Sequence, residues 1–579
     1  MKSVAISLLF LASFGRQVLS CQVQPPKQDL DWWKTSVLYQ IYPRSFKDSD
    51  GNGIGDLKGI TSKLQHIKDI GADALWLSPI FTSPQKDMGY DISNFTDIDR
   101  TFGTLADFDQ LMATAKRLKL KVLLDFVPNH SSDEHEWFQK SVKGIKPYDD
   151  YYIWKNGINV NGVMHPPNNW LSVFGGSAWT WNEQRRQFYY HAFLAEQPDL
   201  NYHNANLKKE MENVISFWMQ RGVDGFRVDA VNHMFEDTLL RNEPPSSNAA
   251  SLPSDDYESL SHVYTRDLDG TYDVVDSWQK LMDNYVKTHR TDGKFMILEV
   301  YSTVERAMKY YTVGANPFNF MFIASLNNGS KAVDFKNTID NWLKEIPTGK
   351  VANWVVGNHD NHRASTRYGE YGRSDQTTML CAVLPGITVV YNGDEIGMRD
   401  RPFTYQETVD PSGCNAGPNR YQIKSRDPER TPFQWDGTTS AGFSSNPNTW
   451  LPVHPNYKQL NLQLQTAPLL VSHYNVFKNL TALKKQPVLQ KGTVELLLVT
   501  DQVLAVVRRL QGQQSVVLLI NFNNDRDFIL DLTESIKPVS NELKVYTASV
   551  ESQIIPGTIF KANNLHIPKA ASLILLSSN

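Results

Sequence analysis

Two groups of residues have the types and spacing to do chemistry. The first is the stretch DSDGNGIGD, beginning at Asp48. Asp48, Asp50, Asn52 and Asp56 offer side-chain oxygens at alternate places, Ile54 adds a main-chain carbonyl, and the glycines permit a tight curl. That pattern suits a hard, oxygen-seeking cation such as Ca2+. The twelfth place, where a helix-loop-helix calcium sensor carries a bidentate Glu, is Gly59. No amphipathic helix precedes the loop, so the sensor reading fails. A structural metal site remains, and so does a metal-free turn of Asp, Asn and Gly. The second group follows short apolar runs: Asp125, Asn129 and His130 in DFVPNH, Arg227 and Asp229 in GFRVDAV, Glu299 in ILEVYS, His359 and Asp360 in VVGNHD.

Those runs belong to a rhythm that starts near residue 37. Eight candidate strands begin at Val37, Ala72, Lys121, Val223, Phe295, Pro317, Val351 and Gly386. Between several of them lie segments of helical period, such as LADFDQLMATAKRLK from Leu105 and LKKEMENVISFWMQRG from Leu207. Continuous apolar strands alternating with helices predict an α/β fold with a parallel sheet buried on both faces, and eight units predict a closed (β/α)8 TIM barrel. Barrel enzymes carry their sites at the C-terminal ends of the strands, so Asp229, Glu299 and Asp360 are expected to converge on one rim. About ninety residues separate the third strand from the fourth, too many for a structureless loop, which predicts a small inserted domain. From about Val488 short alternating strands predict a C-terminal antiparallel β-sandwich. The expected organisation is a barrel over 31–129 and 199–485, an inserted domain over 130–198 and a β domain over 486–579.

The chain has 579 residues and a formal net charge of −4, with no basic tract, which argues against nucleic acid and anionic membrane as partners. Its start, MKSVAISLLFLASFGRQVLSC, has a charged end, an apolar run too short to span a bilayer and small residues before Cys21, which predicts a signal peptide over 1–20 and a secreted, extracellular protein. No later segment reads as a transmembrane helix. Three cysteines, Cys21, Cys381 and Cys414, make no disulfide framework, and Cys381 in MLCAVLPG reads as core. Asn94, Asn328 and Asn479 stand in glycosylation sequons; so does Asn129, but its place on the barrel rim argues against use.

Taken in order, DFVPNH, GFRVDAV, ILEVYS and VVGNHD resemble the four signature regions of the α-amylase family of glycoside hydrolases. LYQIYPRSF, GIGDLKGI, LWLSPIF, GYDI, QPDLN and SRDPERTPFQWD are similar to its α-glucosidase and oligo-1,6-glucosidase branch, most closely insect maltases. The resemblance runs from about Trp32 into the C-terminal domain. It implies a nucleophile at Asp229, an acid/base at Glu299 and a third carboxylate at Asp360 that holds sugar hydroxyls, with retention by two displacements. Arg227, two residues before Asp229, would keep the nucleophile ionised. Glu299, between Leu298 and Val300, has the less polar neighbours, which favours the protonated role. His130 and His359 would hydrogen-bond the same glucose, Asp87 and Tyr90 would bind and stack on it, Phe174 would line the pocket and Arg426 close it. Asp125 would support Arg227. Relatives bind one structural Ca2+ at positions matching Asp48, Asp50, Asn52, Ile54 and Asp56, and no organic cofactor is implied.

QPDLN points to a closed pocket acting on the non-reducing end of short substrates. Ala230, a small residue after the implied nucleophile, favours α-1,4 over α-1,6 linkages, hence maltose, short malto-oligosaccharides and sucrose. Two alternatives accompany the hydrolase reading. One is a transglycosylase or isomerase using the same covalent intermediate. The other is a non-catalytic partner protein like the heavy chains of amino-acid transporters, which share the barrel but lack the full catalytic set.

Overall fold

The computed structural model describes residues 28–369, 373–468 and 470–577; the leader expected at 1–20 lies outside them. All eight expected strands are present: Val37–Ile41 (β1), Ala74–Leu77 (β2), Lys121–Phe126 (β3), Gly225–Val228 (β4), Phe295–Leu298 (β5), Asn316–Pro317 (β6), Asn353–Val355 (β7) and Ile387–Tyr391 (β8). They form one parallel sheet in the order β6-β5-β4-β3-β2-β1-β8-β7. Nearly every strand residue is buried, as a sheet covered by helices outside and filled by side chains inside requires.

β6 is much shorter than PFNFMFI suggests. After Pro317 the chain turns into a helical turn at Met321–Ala324, and Phe318 and Phe320 pack inside the barrel. The seam between β6 and β7 carries no ladder. A side chain bridges it: Asn353 Nδ2 donates to the Pro317 carbonyl at 2.7 Å, and Asn319 N–H donates to Asn353 Oδ1 at 2.8 Å.

Local signals set the helix ends. Thr104 and Asp107 form a reciprocal capping box before Leu105–Leu118. Asn204 caps Ala205–Gln220, which ends before Gly222 at φ 94°. Between β3 and β4 lie a three-stranded antiparallel sheet (154–155, 179–182, 187–190) and an exposed hairpin (158–165). Two further excursions were not foreseen. Residues 231–269 after β4 and 399–461 after β8 contain only short helical turns, yet both run over the C-terminal rim. The last part of the chain is a six-stranded antiparallel sheet with a separate two-stranded pair, and it buries apolar side chains on both faces.

Candidate active site

Register brings the first two acids together. Val228 and Leu298 are partners on neighbouring strands, so Asp229 and Glu299 leave the sheet side by side, with backbones about 4.8 Å apart. Arg227 alternates to the same face as Asp229 and lies beneath both acids, 1% exposed. Its Nη1 donates to Asp229 Oδ1 at 2.5 Å and to Asp125 Oδ1 at 2.8 Å, and its Nη2 lies 3.0 Å from Glu299 Oε2. One guanidinium thus joins carboxylates from three consecutive strands.

Here the structure corrects two expectations. Glu299 is not the acid with apolar surroundings: besides Arg227, its Oε2 accepts the Ala230 N–H at 2.8 Å, while flanking Leu298 and Val300 are buried in the barrel core. Nor does Arg227 dominate Asp229. Burial and the neighbouring Glu299 charge push the Asp229 carboxyl well up against the pull of Arg227. Burial likewise raises Asp125 to about 6, though Arg227 opposes it.

Asp360, after β7, has different company. Arg430 Nη2 donates to its Oδ1 at 2.7 Å and Arg426 Nη1 at 3.4 Å. Burial acts to raise this carboxyl, but His359, Arg430 and Arg426 together hold it well below its ordinary range. His359 is itself kept neutral by burial, so at neutral pH the two arginines carry that effect. Asp360 is the acid that stays ionised.

These acids open into a cavity of about 350 Å³, also lined by Asp87, Tyr90, His130, Phe174 and Arg426. That volume is near the small end for ligand sites, roughly 300–1,000 Å³. Arg426 closes one side. Its Nη2 donates to Asp87 Oδ1 at 2.8 Å and Asp410 Oδ1 at 2.5 Å, and its guanidinium lies over the Phe174 ring, 5.1 Å from the centroid. Gln197, from QPDLN, donates to Asp87 Oδ2 at 3.2 Å and contacts His130 Nε2 at 3.1 Å. Burial lowers His130 to about 3, so it is neutral.

His359 and Arg227 do not reach the cavity wall, contrary to expectation. His359 is fully buried; its Nδ1 meets Gln40 Nε2 at 2.7 Å and its Nε2 meets the Tyr90 hydroxyl. Both nitrogens are engaged, and Nε2 also lies 3.3 Å from Asp360 Oδ2, so His359 braces Tyr90 and Asp360 beside the cavity. Sequence reasoning missed Asp410, which reads only as an Asp before a proline, and Tyr257 and Arg266, which reach the wall from the 231–269 excursion. Ala230, also on the wall, sits in the left-handed region at φ 44°, ψ 30°, a backbone strain of the kind that clusters at functional sites.

The acidic loop lies on the same rim, after β1. Oxygens of Asp48, Asp50 and Asp56 come within 4.8 Å of one another. Gly59 cannot be the missing Glu, because a Cβ there would stand 2.0 Å from the Lys47 carbonyl. Instead Asp56 caps the helix Leu57–Asp69 through Gly59 N–H. Asp48 is buried and accepts from Gly51, Gly53 and Ser444; these bonds outweigh burial and hold its carboxyl low. Ser444 ties the loop to the segment after β8, as do bonds from Asn446 to Gly51 and Trp450 to Gly53.

Of the sequon asparagines, Asn94 and Asn328 are exposed, Asn479 is half-buried with its Nδ2 near Thr547, and Asn129 is fully buried. Among the described residues no helix is long and apolar enough to cross a membrane.

The alpha amylase catalytic-domain model matches residues 40–492. Maltase 1 of Drosophila virilis is 47% identical over 95% of this chain and 87% of its own length. A salivary alpha-glucosidase of Anopheles gambiae is 44% identical over 95% of this chain and 94% of its own. Among solved structures, the alpha-glucosyl transfer enzyme XgtA superposes with a TM-score of 0.83 at 32% identity, covering 94% of this chain and 99% of that one. The paired acids on one guanidinium and the matched length of barrel give the same answer: the chain belongs to the α-amylase family of glycoside hydrolases.

Proposed function

We propose that the protein is a secreted, retaining, exo-acting α-glucosidase, which removes terminal non-reducing α-1,4-linked glucose from maltose, short malto-oligosaccharides and sucrose. The observation that carries this reading is the pairing of Asp229 and Glu299 at register-matched strand ends on Arg227. Backbones about 4.8 Å apart suit carboxyls about 5–5.5 Å apart, the separation for retention. The nucleophilic role requires Asp229 to be ionised in the reactive state and Glu299 to carry the proton that it donates; Arg227, 2.5 Å from Asp229 and 3.0 Å from Glu299, bears on both acids. Glu299 protonates the glycosidic oxygen while an Asp229 oxygen bonds to the anomeric carbon, breaking the bond to the leaving sugar. Glu299, now ionised, takes a proton from water, whose oxygen displaces Asp229 and releases glucose with its original configuration.

The other residues hold the terminal glucose. Asp360, kept ionised by its arginines, accepts sugar hydroxyls and stabilises the oxocarbenium-like transition state. Asp87, Tyr90, His130, Phe174 and Arg426 surround the ring, and the closed wall limits the site to chain ends. Ala230 leaves room for a 1,4-linked leaving sugar. Asp48, Asp50, Asn52, the Ile54 carbonyl and Asp56 would hold Ca2+, which would supply positive charge among the carboxylates of the loop and take no part in the chemistry. The apolar leader and the salivary relative support secretion. Sugar additions at Asn94 and Asn328 fit their exposure.

A second reading, transfer of glucose to another sugar, is favoured by the likeness to a glucosyl transfer enzyme. The test is turnover on maltose, sucrose, isomaltose and trehalose, with products resolved at low and high sugar. Free glucose from maltose as the main product supports hydrolysis; oligosaccharides dominating even at low sugar would favour transfer, and isomaltose as the best substrate would overturn the α-1,4 assignment.

A further inference from the structure

Behind Asp360, outside the sugar cavity, three segments bring together one imidazole nitrogen and two carboxylate oxygens. His362 comes from the turn after β7, Asp400 from the segment after β8 and Glu429 from the short turn Asp427–Glu429. His362 Nδ1 stands 2.8 Å from Asp400 Oδ2 and 3.5 Å from Glu429 Oε2, and the three atoms lie within 4.8 Å of one another. Glu429 is 1% exposed, and among the described residues its Oε2 has no hydrogen-bond partner. A buried carboxylate oxygen left without a donor is costly, so the cluster is incomplete as a hydrogen-bonded network.

We propose that His362, Asp400 and Glu429 form a divalent-cation site of the borderline class, best matched by Zn2+. Bonds of about 2.0–2.1 Å in tetrahedral geometry place ligand atoms roughly 3.3 Å apart, and the two separations from His362 Nδ1 bracket that value. Mixed nitrogen and oxygen donors set this site apart from the all-oxygen loop at Asp48, which suits a harder ion. His362 and Asp400 also line a separate cavity of about 480 Å³, which gives the ion an entry path and room for a water as fourth ligand. The frame is already held: Arg363 N–H donates to Asp400 Oδ1 at 3.0 Å, and Arg367 Nη1 donates to the His362 carbonyl at 2.6 Å. An ion here ties together the two segments that carry Asp360 and its partner Arg430, so its role is positioning.

The test uses the full chain, stripped with chelator and titrated with ZnCl2 and, separately, CoCl2. The expected result is one equivalent of tightly bound Zn2+, a rise in melting temperature and the visible absorption of tetrahedral Co2+. Glu429→Gln and His362→Gln should each weaken Zn2+ at least tenfold and remove the cobalt bands, while Asp50→Asn in the other loop keeps both. The His362 side chain is 42% exposed, so that variant tests the site without disturbing the core. Absence of stoichiometric Zn2+ binding, or unchanged affinity in either folded variant, would overturn the proposal.

Discussion

The junction between barrel and C-terminal domain contains a charge clamp whose contribution can be worked out. His473, at the start of the helix His473–Lys484, places Nδ1 2.8 Å from Asp375 Oδ1, and the other Asp375 oxygen accepts the Val550 N–H at 2.8 Å. Burial acts to lower the His473 pKa, but Asp375 and then Glu551 overcome it and raise it to about 9. A folded pKa above the unfolded value of about 6.5 means the stabilisation is fully present below pH 6.5 and is lost as pH rises through 9. The shift corresponds to about 3 kcal/mol at most, which for a chain of this length is roughly 2–3 °C in melting temperature. His473→Gln keeps a hydrogen-bond donor but cannot ionise. In scans at matched rates, the variant should melt below the wild type near pH 6, and the gap should close by about pH 10. A gap that stays constant across that range would refute the charge argument and leave only packing.

Three further outcomes follow from the geometry. Asp229→Asn should lower kcat on maltose on the order of 10⁴-fold with an unchanged melting profile, and wild-type turnover would remove the nucleophile assignment. Ala230→Val forces a β-branched residue into φ 44° and crowds the leaving-sugar side, costing on the order of 1–3 kcal/mol; kcat/KM should fall further for maltose than for isomaltose, and equal losses would argue against a linkage gate. Ca2+ at about 100 times its Kd should stabilise the protein by about 2.7 kcal/mol, so chelation should lower the melting temperature with little change in rate while the chain stays folded. No shift would leave the acidic loop as a metal-free turn.

The fold was legible because barrel strands buried on both faces read as unbroken apolar runs, and the acids were legible because they end those runs. What stayed hidden depends on depth and on distant segments. Asp229 and His359 follow apolar strands and Arg227 lies within one, yet of the three only Asp229 lines the cavity, because Arg227 and His359 spend their hydrogen bonds on other site residues. Chain neighbours misled at Glu299: Leu298 and Val300 turn into the core while Glu299 meets an N–H and a guanidinium. Apolar FMFI after Pro317 mimics a strand but is a helical turn, and the seam it leaves needs Asn353. Asp410 gave no signal, since its partner Arg426 stands sixteen residues away across an irregular segment.

The most direct test of the central claim is the anomer of glucose first released from maltose, followed by NMR before mutarotation. Double displacement through Asp229 predicts α-glucose; β-glucose as the initial product would contradict the account.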